Sequence, residues 1–367
     1  MNIKGLLLGS AAALAVASGA HAADAIVAAE PEPVDYVRIC DAYGTGYFFI
    51  PGTETCLKIG GKIRTEGEWY DAYNAKSNVG TLWHDRTELN IDTATDTEFG
   101  ALKTNTVFRW EWNDGGNTTT KLLWSNISLG GFTVGKLDSQ YNLYVGYAGD
   151  VINDDVIYDG PYELNQLTYS YDSGHGFTAL ISLEDSNSNS TGSASYGSSF
   201  WTDDKQGHYA PDVVAGFGYT TGTLGFKVVG GYDSIVEEGA IKARVDAKLG
   251  GVEAFLMGGW NTDGDKLNKY AGTNQDASAC TIDGVRNDAK CGWGDWALWS
   301  GVGVPINDKL KWNLQLAYTQ SQIFEATTNL KFNPVKDLLV EPELTYVHYD
   351  YIHDDTIAGI LRFERNF

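Results

Sequence analysis

The 367-residue sequence predicts an all-β fold: a transmembrane antiparallel barrel of sixteen strands, with short turns at one end and long loops at the other. Three observations predict it. Apolar and polar residues alternate with period two in segment after segment, the mark of strands with two unlike faces. The connections sort into tight turns and long polar loops. The composition is rich in aromatics (13%) and glycine (43 residues), with only two methionines and 20% charged residues.

Composition also excludes several classes. So many aromatic and β-branched side chains cannot stay solvated, so the chain is not disordered. A formal charge of −22 argues against a nucleic-acid partner, which needs a Lys/Arg surplus to neutralise phosphates. Beyond the first two dozen residues no apolar run approaches the ~18–20 residues of a spanning helix.

Residues 1–22 read as a secretory signal peptide, with Lys4 as the charged start, Gly5 to Ala17 as the apolar stretch and Ala20-His21-Ala22 as the cleavage site. No cysteine follows at a lipid-attachment position. In an exported chain the economical pairing of the four cysteines is local, Cys40–Cys56 and Cys280–Cys291. The two other connectivities would join distant parts of the chain. Neither pair is CxxC and no histidine sits at metal-ligand spacing, so no metal is expected.

Residues 23–56 form an N-terminal segment on the periplasmic side, and 57–367 form the barrel. The expected strands are 57–69, 86–97, 101–113, 119–129, 132–138, 162–172, 177–185, 210–220, 223–233, 239–249, 252–261, 295–304, 309–319, 322–332, 338–349 and 356–367. In Ile241-Lys-Ala-Arg-Val-Asp-Ala-Lys-Leu249 the odd positions are all apolar and the even ones all charged. Segments 310–318, 324–332 and 102–112 repeat the pattern, whereas 119–129 has ambiguous parity. Tight connections at Glu98 to Gly100, Gly130-Gly131, Ser173 to Gly176, Thr221-Gly222, Gly250-Gly251, Pro305 to Asp308 and Asn333 to Asp337 use Gly for positive φ and Pro for fixed φ. The long connections fall at 70–85, 139–161, 186–209 and 262–294.

A soluble barrel hides its apolar face inside; a membrane barrel turns it toward lipid and closes the sheet so that every backbone group is paired. Strands of ~9–11 residues, aromatics near strand ends and a polar alternate face fit the second case. At sixteen strands the interior is a water-filled lumen. The terminal run Ile357 to Phe367 keeps Leu361, Phe363 and Phe367 in phase, and resembles the signal read by barrel-assembly machinery in outer-membrane proteins. Arg365 departs from it, standing where an apolar residue is common.

Several stretches together resemble the general porins of the alphaproteobacterial, rhizobial and brucella type. They are Ala23-Asp-Ala-Ile-Val, Tyr36 to Cys56 (YVRICDAYGTGYFFIPGTETC), Gly294-Asp-Trp-Ala-Leu-Trp299 and Leu361-Arg-Phe-Glu-Arg-Asn-Phe367. Ile127 to Lys136 resembles the hairpin that precedes the third loop of porins. Between these anchors the likeness is mainly one of pattern. The resemblance implies a homotrimer in outer-membrane lipid and lipopolysaccharide of a Gram-negative cell, passing small hydrophilic solutes through barrels narrowed by an inward-folded third loop.

The third loop, Asp138 to Pro161, holds Asp138, Asp150, Asp154, Asp155 and Asp159 beside Tyr141, Tyr144, Tyr147 and Tyr158. Folded inward, it would set these carboxylates across the lumen from polar-phase bases of the first strands: Lys62, Arg64, Arg86, Lys103 and Arg109. Opposed charges would bias which ions enter, and the oriented water between them would disfavour apolar solutes. The bland reading is that the bases are ordinary lumen residues and the aspartates merely keep a loop soluble.

No catalytic motif accompanies the five histidines after the signal, so the chain is not expected to be an enzyme and needs no cofactor. The expected function is a general diffusion porin of the outer membrane with weak cation preference. A sugar-specific channel would need a lengthwise aromatic track on the lumen side, while a plugged adhesin would use the long loops at 186–209 and 262–294.

Overall fold

Period-two alternation on this scale becomes one closed sheet. The computed structural model describes residues 38–71, 78–154, 156–185, 210–272, 281–282, 285–286, 288–290 and 292–367. The signal segment 1–22, the loop 186–209, Asp155 and the expected Cys280–Cys291 pair lie outside the described residues.

A two-residue strand β1 (Phe48–Phe49) precedes the barrel. Its first strands are β2 (Cys56–Asp71), β3 (Asn78–Thr97), β4 (Gly100–Asn113), β5 (Thr119–Leu129) and β6 (Phe132–Leu137). After a one-turn helix α1 (Gln140–Leu143) come β7 (Leu164–Asp172), β8 (Phe177–Glu184), β9 (Asp212–Thr220), β10 (Leu224–Asp233), β11 (Glu238–Leu249) and β12 (Val252–Asn261). A separate small hairpin, β13 (Thr281–Ile282) and β14 (Val285–Arg286), interrupts the next connection. The barrel resumes with β15 (Trp296–Asn307), β16 (Leu310–Thr319), β17 (Ile323–Phe332), β18 (Leu338–Tyr349) and β19 (Asp354–Asn366). Each barrel strand pairs antiparallel with the next, β12 with β15, and β19 closes on β2. The sixteen-stranded antiparallel barrel read from the sequence is therefore the fold.

Burial is inverted relative to a soluble protein. On β11, Ile241 and Val245 are 44% and 46% exposed, whereas Lys242 is fully buried. Aliphatic and aromatic side chains of the same phase continue around the outside, among them Leu167, Phe217, Phe226, Leu256, Leu298, Leu316 and Leu344. Such a surface is stable only against lipid. Two hairpins turn on glycine pairs: Gly130 and Gly131 (φ 59° and 89°) between Leu129 and Phe132, and Gly250 and Gly251 (φ 58° and 88°) between Leu249 and Val252. Positive φ at both central positions matches the twist of the flanking strands.

Three local departures from the sequence reading have physical causes. The second strand starts at Asn78 rather than 86 and runs 20 residues. Its first half hides from a hydropathy reading because His84 and Arg86 on the inner phase alternate with Asp85 and Thr87 on the outer one. The parity of 119–129 is ambiguous because β5 carries a bulge: Val107 pairs with Trp124 but Phe108 with Leu122, leaving Leu123 extra. Pro305 does not start a turn; it pairs with Lys311, and a bulge between Pro305 and Asn307 carries β15 further. A bulge is where a strand tolerates a residue lacking an N–H.

The N-terminal segment is tied to the short-turn end. Cys40 and Cys56 are disulfide-bonded, and β1 pairs with Cys56 and Leu57. Further along the same edge of β2, Gly61 exchanges two 3.0 Å backbone hydrogen bonds with Phe367. Thus β1 covers the stretch of β2 that the last strand is too short to reach. Gly61 is needed there, since a Cβ would lie 2.2 Å from the Glu88 carbonyl oxygen and 2.9 Å from the Phe367 ring. Leu361, Phe363 and Phe367 all lie on the outward, exposed phase.

Candidate pore constriction

Inward-facing residues of β2, β3, β4 and β19 form rows across the sheet. One row reads Glu364, Arg64, Arg86, Glu111; the next reads Arg362, Glu66, His84; a third reads Lys62, Glu88, Arg109, Lys121. Most lateral neighbours are of opposite sign, the like pairs being Arg64–Arg86 and Arg109–Lys121. Arg64 Nε donates to Glu364 at 2.7 Å, Arg86 Nε to Glu111 at 2.6 Å and Arg109 Nε to Glu88 at 2.6 Å. Arg362 pairs with Glu66, which also contacts His84 Nδ1 at 2.8 Å, and Lys62 Nζ lies 3.3 Å from Glu88.

Lys62, Arg64, Arg86 and Arg109 therefore come together on one wall, as their phase predicts. Lys103 shares the phase but sits six residues from Arg109, roughly 20 Å along the strand. Sequence reading missed the glutamates. Glu66, Glu88 and Glu111 have the same parity as the bases, and counting both signs on the wet face would have found them. Glu66, Glu68 and His84 offer ligand atoms within 4.8 Å of one another, though Arg362 already engages Glu66.

The segment between β6 and β7 crosses the opposite wall. Ser139 caps α1 by accepting from the Tyr141 N–H, and donates its hydroxyl to Glu184 at 2.7 Å. Lys227 Nζ donates to the Tyr144 carbonyl at 2.7 Å and Arg244 Nη1 to the Tyr147 carbonyl at 2.6 Å. Farther along, Glu343 accepts from the Ile152 and Asn153 N–H groups at 2.5 and 2.8 Å, and Trp299 Nε1 donates to the Ile157 carbonyl at 3.2 Å. All these wall partners are inward-phase residues of β8 to β18. The apolar cluster beneath the segment joins Tyr141, Val145, Ala148 and Ile157 to Val214, Val229, Met257, Trp299 and Val347.

The aspartates of the segment divide into two kinds. Asp138 is buried and accepts from the Tyr147 hydroxyl at 2.7 Å and the Glu163 N–H at 3.1 Å. Asp159 is fully buried; its carboxyl accepts from the Tyr162 hydroxyl at 2.8 Å, and its backbone carbonyl from Lys242 Nζ. Burial raises the Asp159 pKa, opposed by the Lys242 charge. Both carboxylates lie inside the packing of the segment. Asp150, by contrast, is about half exposed at the tip, 2.9 Å from Lys311 Nζ and paired with Lys331. Asp154 is half-buried, and its carbonyl accepts from Gln315 at 3.2 Å. Asp155 lies outside the described residues.

Comparison with known proteins fits this geometry. Porin Omp2b of Brucella abortus (strain 2308) is 40% identical over 389 residues, and Porin Omp2b of Brucella suis biovar 1 (strain 1330) is 39% identical, each covering 100% of both chains. Among solved structures, the outer membrane channel DcaP of Acinetobacter baumannii matches 87% of this chain and 99% of its own with a TM-score of 0.59 at 15% identity. The anion-selective porin of Comamonas acidovorans matches 86% of this chain and 100% of its own, with a TM-score of 0.57 at 12% identity. These structures share the fold. Residues 24–360 match the family described as Porin subfamily, and with full-length relatives at this identity the chain belongs to that family of outer-membrane barrel channels.

Proposed function

We propose that the chain is a general diffusion porin, a water-filled passage for small hydrophilic solutes and ions, narrowed by the segment 138–163. The observation that carries this reading is the inverted barrel: a lipid-compatible exterior around a wall of paired Arg and Glu side chains. Asp150 and Asp154 supply the acidic side of the narrowing, with Asp155 beside them in sequence. Asp138 and Asp159 act as anchors of the segment. Lys62, Arg64, Arg86 and Arg109 supply the basic side, and Lys103 acts nearer the periplasmic mouth. Six bases (Lys62, Arg64, Arg86, Arg109, Lys121, Arg362) stand among five glutamates (Glu66, Glu68, Glu88, Glu111, Glu364), so the wall nearly cancels its own charge. The chain's overall −22 then leaves a weak preference for cations.

The working form is a homotrimer in lipid and lipopolysaccharide, assembled through the barrel machinery after residues 1–22 are removed. Support for a protein neighbour comes from polar pairs set among the apolar outer residues of β2 to β4: Thr65 donates to Asp85 at 2.6 Å, and the Thr93 and Thr104 hydroxyls lie 2.6 Å apart. A carboxylate on the outer surface is costly against hydrocarbon and tolerable against protein.

Planar-bilayer recording of the refolded protein tests the reading. Large ohmic openings in threes are expected, with swelling of liposomes in small sugars. Absence of conductance, or a small conductance blocked by a single sugar, would overturn it in favour of a plugged or substrate-specific barrel.

A further inference from the structure

The connection from β12 to β15 behaves unlike a loop at the open mouth of a barrel. Asn268, Lys269, Tyr270, Ala271 and Trp293 are fully buried, whereas connecting segments ordinarily run over the surface in water. Two inward-phase glycines of the wall receive the rings. A Cβ at Gly231 of β10 would lie 2.5 Å from the Tyr270 ring, and one at Gly259 of β12 would lie 2.5 Å from Trp293. Any larger residue at either position would expel the ring it faces.

Polar bonds hold the same residues. Lys269 Nζ donates to Asp212 at 2.6 Å and to the Asp185 carbonyl at 2.8 Å; its backbone N–H donates to Asp233 at 2.8 Å. The Tyr270 hydroxyl donates to Glu184 at 3.2 Å. Glu184 is also the carboxylate that receives Ser139 and the Gln140 N–H, so one side chain anchors two loops. The loops touch directly as well. The Tyr158 hydroxyl donates to the Lys269 carbonyl at 2.8 Å, Trp293 Nε1 donates to the Tyr158 carbonyl at 2.6 Å, and the Tyr141 and Tyr270 rings stand 5.0 Å apart.

We propose that the described parts of this connection, 262–272 and 292–295, form a second inward-folded element that helps set the size limit of the pore, with Lys269, Tyr270 and Trp293 as its positioning residues. Resting on the porin reading, the inference deepens it. Tyr270 and Trp293 fill the lumen against β10 and β12 and brace the 138–163 segment from behind, confining water to the side of the Arg–Glu wall. Gly231 and Gly259 serve as the seats. Because Lys269 is buried with acidic partners, removing its charge strands Asp212 and releases the brace.

The test compares wild type with Gly259→Leu, Lys269→Met and the charge-balanced pair Lys269→Met/Asp212→Asn, each refolded and checked by far-UV circular dichroism. Single-channel conductance and liposome swelling in a series of mono- to tetrasaccharides are then read. Gly259→Leu and Lys269→Met should raise conductance about twofold and admit larger sugars, and the balanced pair should return toward wild type. Wild-type conductance and exclusion in folded Gly259→Leu and Lys269→Met overturn the inference while leaving the porin reading intact. A silent wild type overturns the porin reading itself. Hydrogen exchange on the unaltered protein provides a readout that needs no variant. Peptides spanning 266–272 and 292–295 should be protected as strongly as 139–160, and exchange within seconds would refute the brace.

Discussion

Glu88 offers the sharpest test of the charged wall. It is buried, accepts from Arg109 at 2.6 Å and lies 3.3 Å from Lys62 Nζ. Glu88→Gln keeps an acceptor for Arg109 and nearly the same shape, so the barrel should fold, but it leaves two cations sharing one fewer carboxylate. An ion passing about 8 Å away in water-like dielectric gains or loses about 0.5 kcal/mol from that unit charge. Cations and anions move in opposite senses, so their permeability ratio shifts by about 1 kcal/mol, or about fivefold toward anions. In 0.1 M salt the Debye length of about 10 Å reduces this to about twofold, and at 1 M it disappears. Reversal potentials across a salt gradient, measured at two ionic strengths, give the ratio directly. An unchanged ratio at low salt, or a shift toward cations, would refute the claim that this wall lines the conducting path.

Other outcomes follow from the same geometry. Lys242→Met removes the donor to Asn142 (2.9 Å) and to the Asp159 carbonyl, and leaves the buried Asp159 carboxyl without its ammonium neighbour. Undocking by about 3 kcal/mol is expected, seen as flickering conductance and earlier thermal unfolding in detergent. Cys40→Ser with Cys56→Ser opens a loop with a sequence separation of 16, worth about 3 kcal/mol of chain constraint, and should make 39–55 protease-sensitive while the barrel persists. Tyr43, outside the barrel strands, has its phenol pushed up to about 12, chiefly by its hydrogen bond to Asp96. Because the folded pKa exceeds the usual 10.0, this contribution is complete below pH 10 and is lost as pH rises from 10 toward 12. Absorbance titration of wild type minus Tyr43→Phe should show it, and Asp96→Asn should bring the midpoint back toward 10.

Much of the barrel was legible because its strands obey a local rule. Ile241, Lys242, Arg244 and Val245 take opposite faces by geometry alone, and the closed sheet leaves each face a single solvent. Glycine pairs at 130–131 and 250–251 are equally local, since positive φ is a property of the residue. The same rule placed Lys62, Arg64, Arg86 and Arg109 on the wet face. It also held for Glu66, Glu88 and Glu111, which were overlooked because a search for a basic wall counts only one sign. The bulge at Leu123 and the strand extension through His84 and Asp85 were less legible: each depends on what the neighbouring strand presents.

Sequence alone determined the architecture, the inner and outer faces and the terminal phase of Leu361, Phe363 and Phe367, and it made Cys40–Cys56 the economical pairing that the structure then formed. Only the tertiary structure decided which aspartates are buried and which stay partly exposed, that each wall arginine meets a glutamate on a neighbouring strand, and that Tyr270 and Trp293 pack on Gly231 and Gly259. The reason is range. Strand phase is set by adjacent backbone dihedrals, while the fate of Asp159 or Lys269 rests on partners such as Lys242 and Asp212, which only the curvature and register of the closed barrel bring within hydrogen-bond distance.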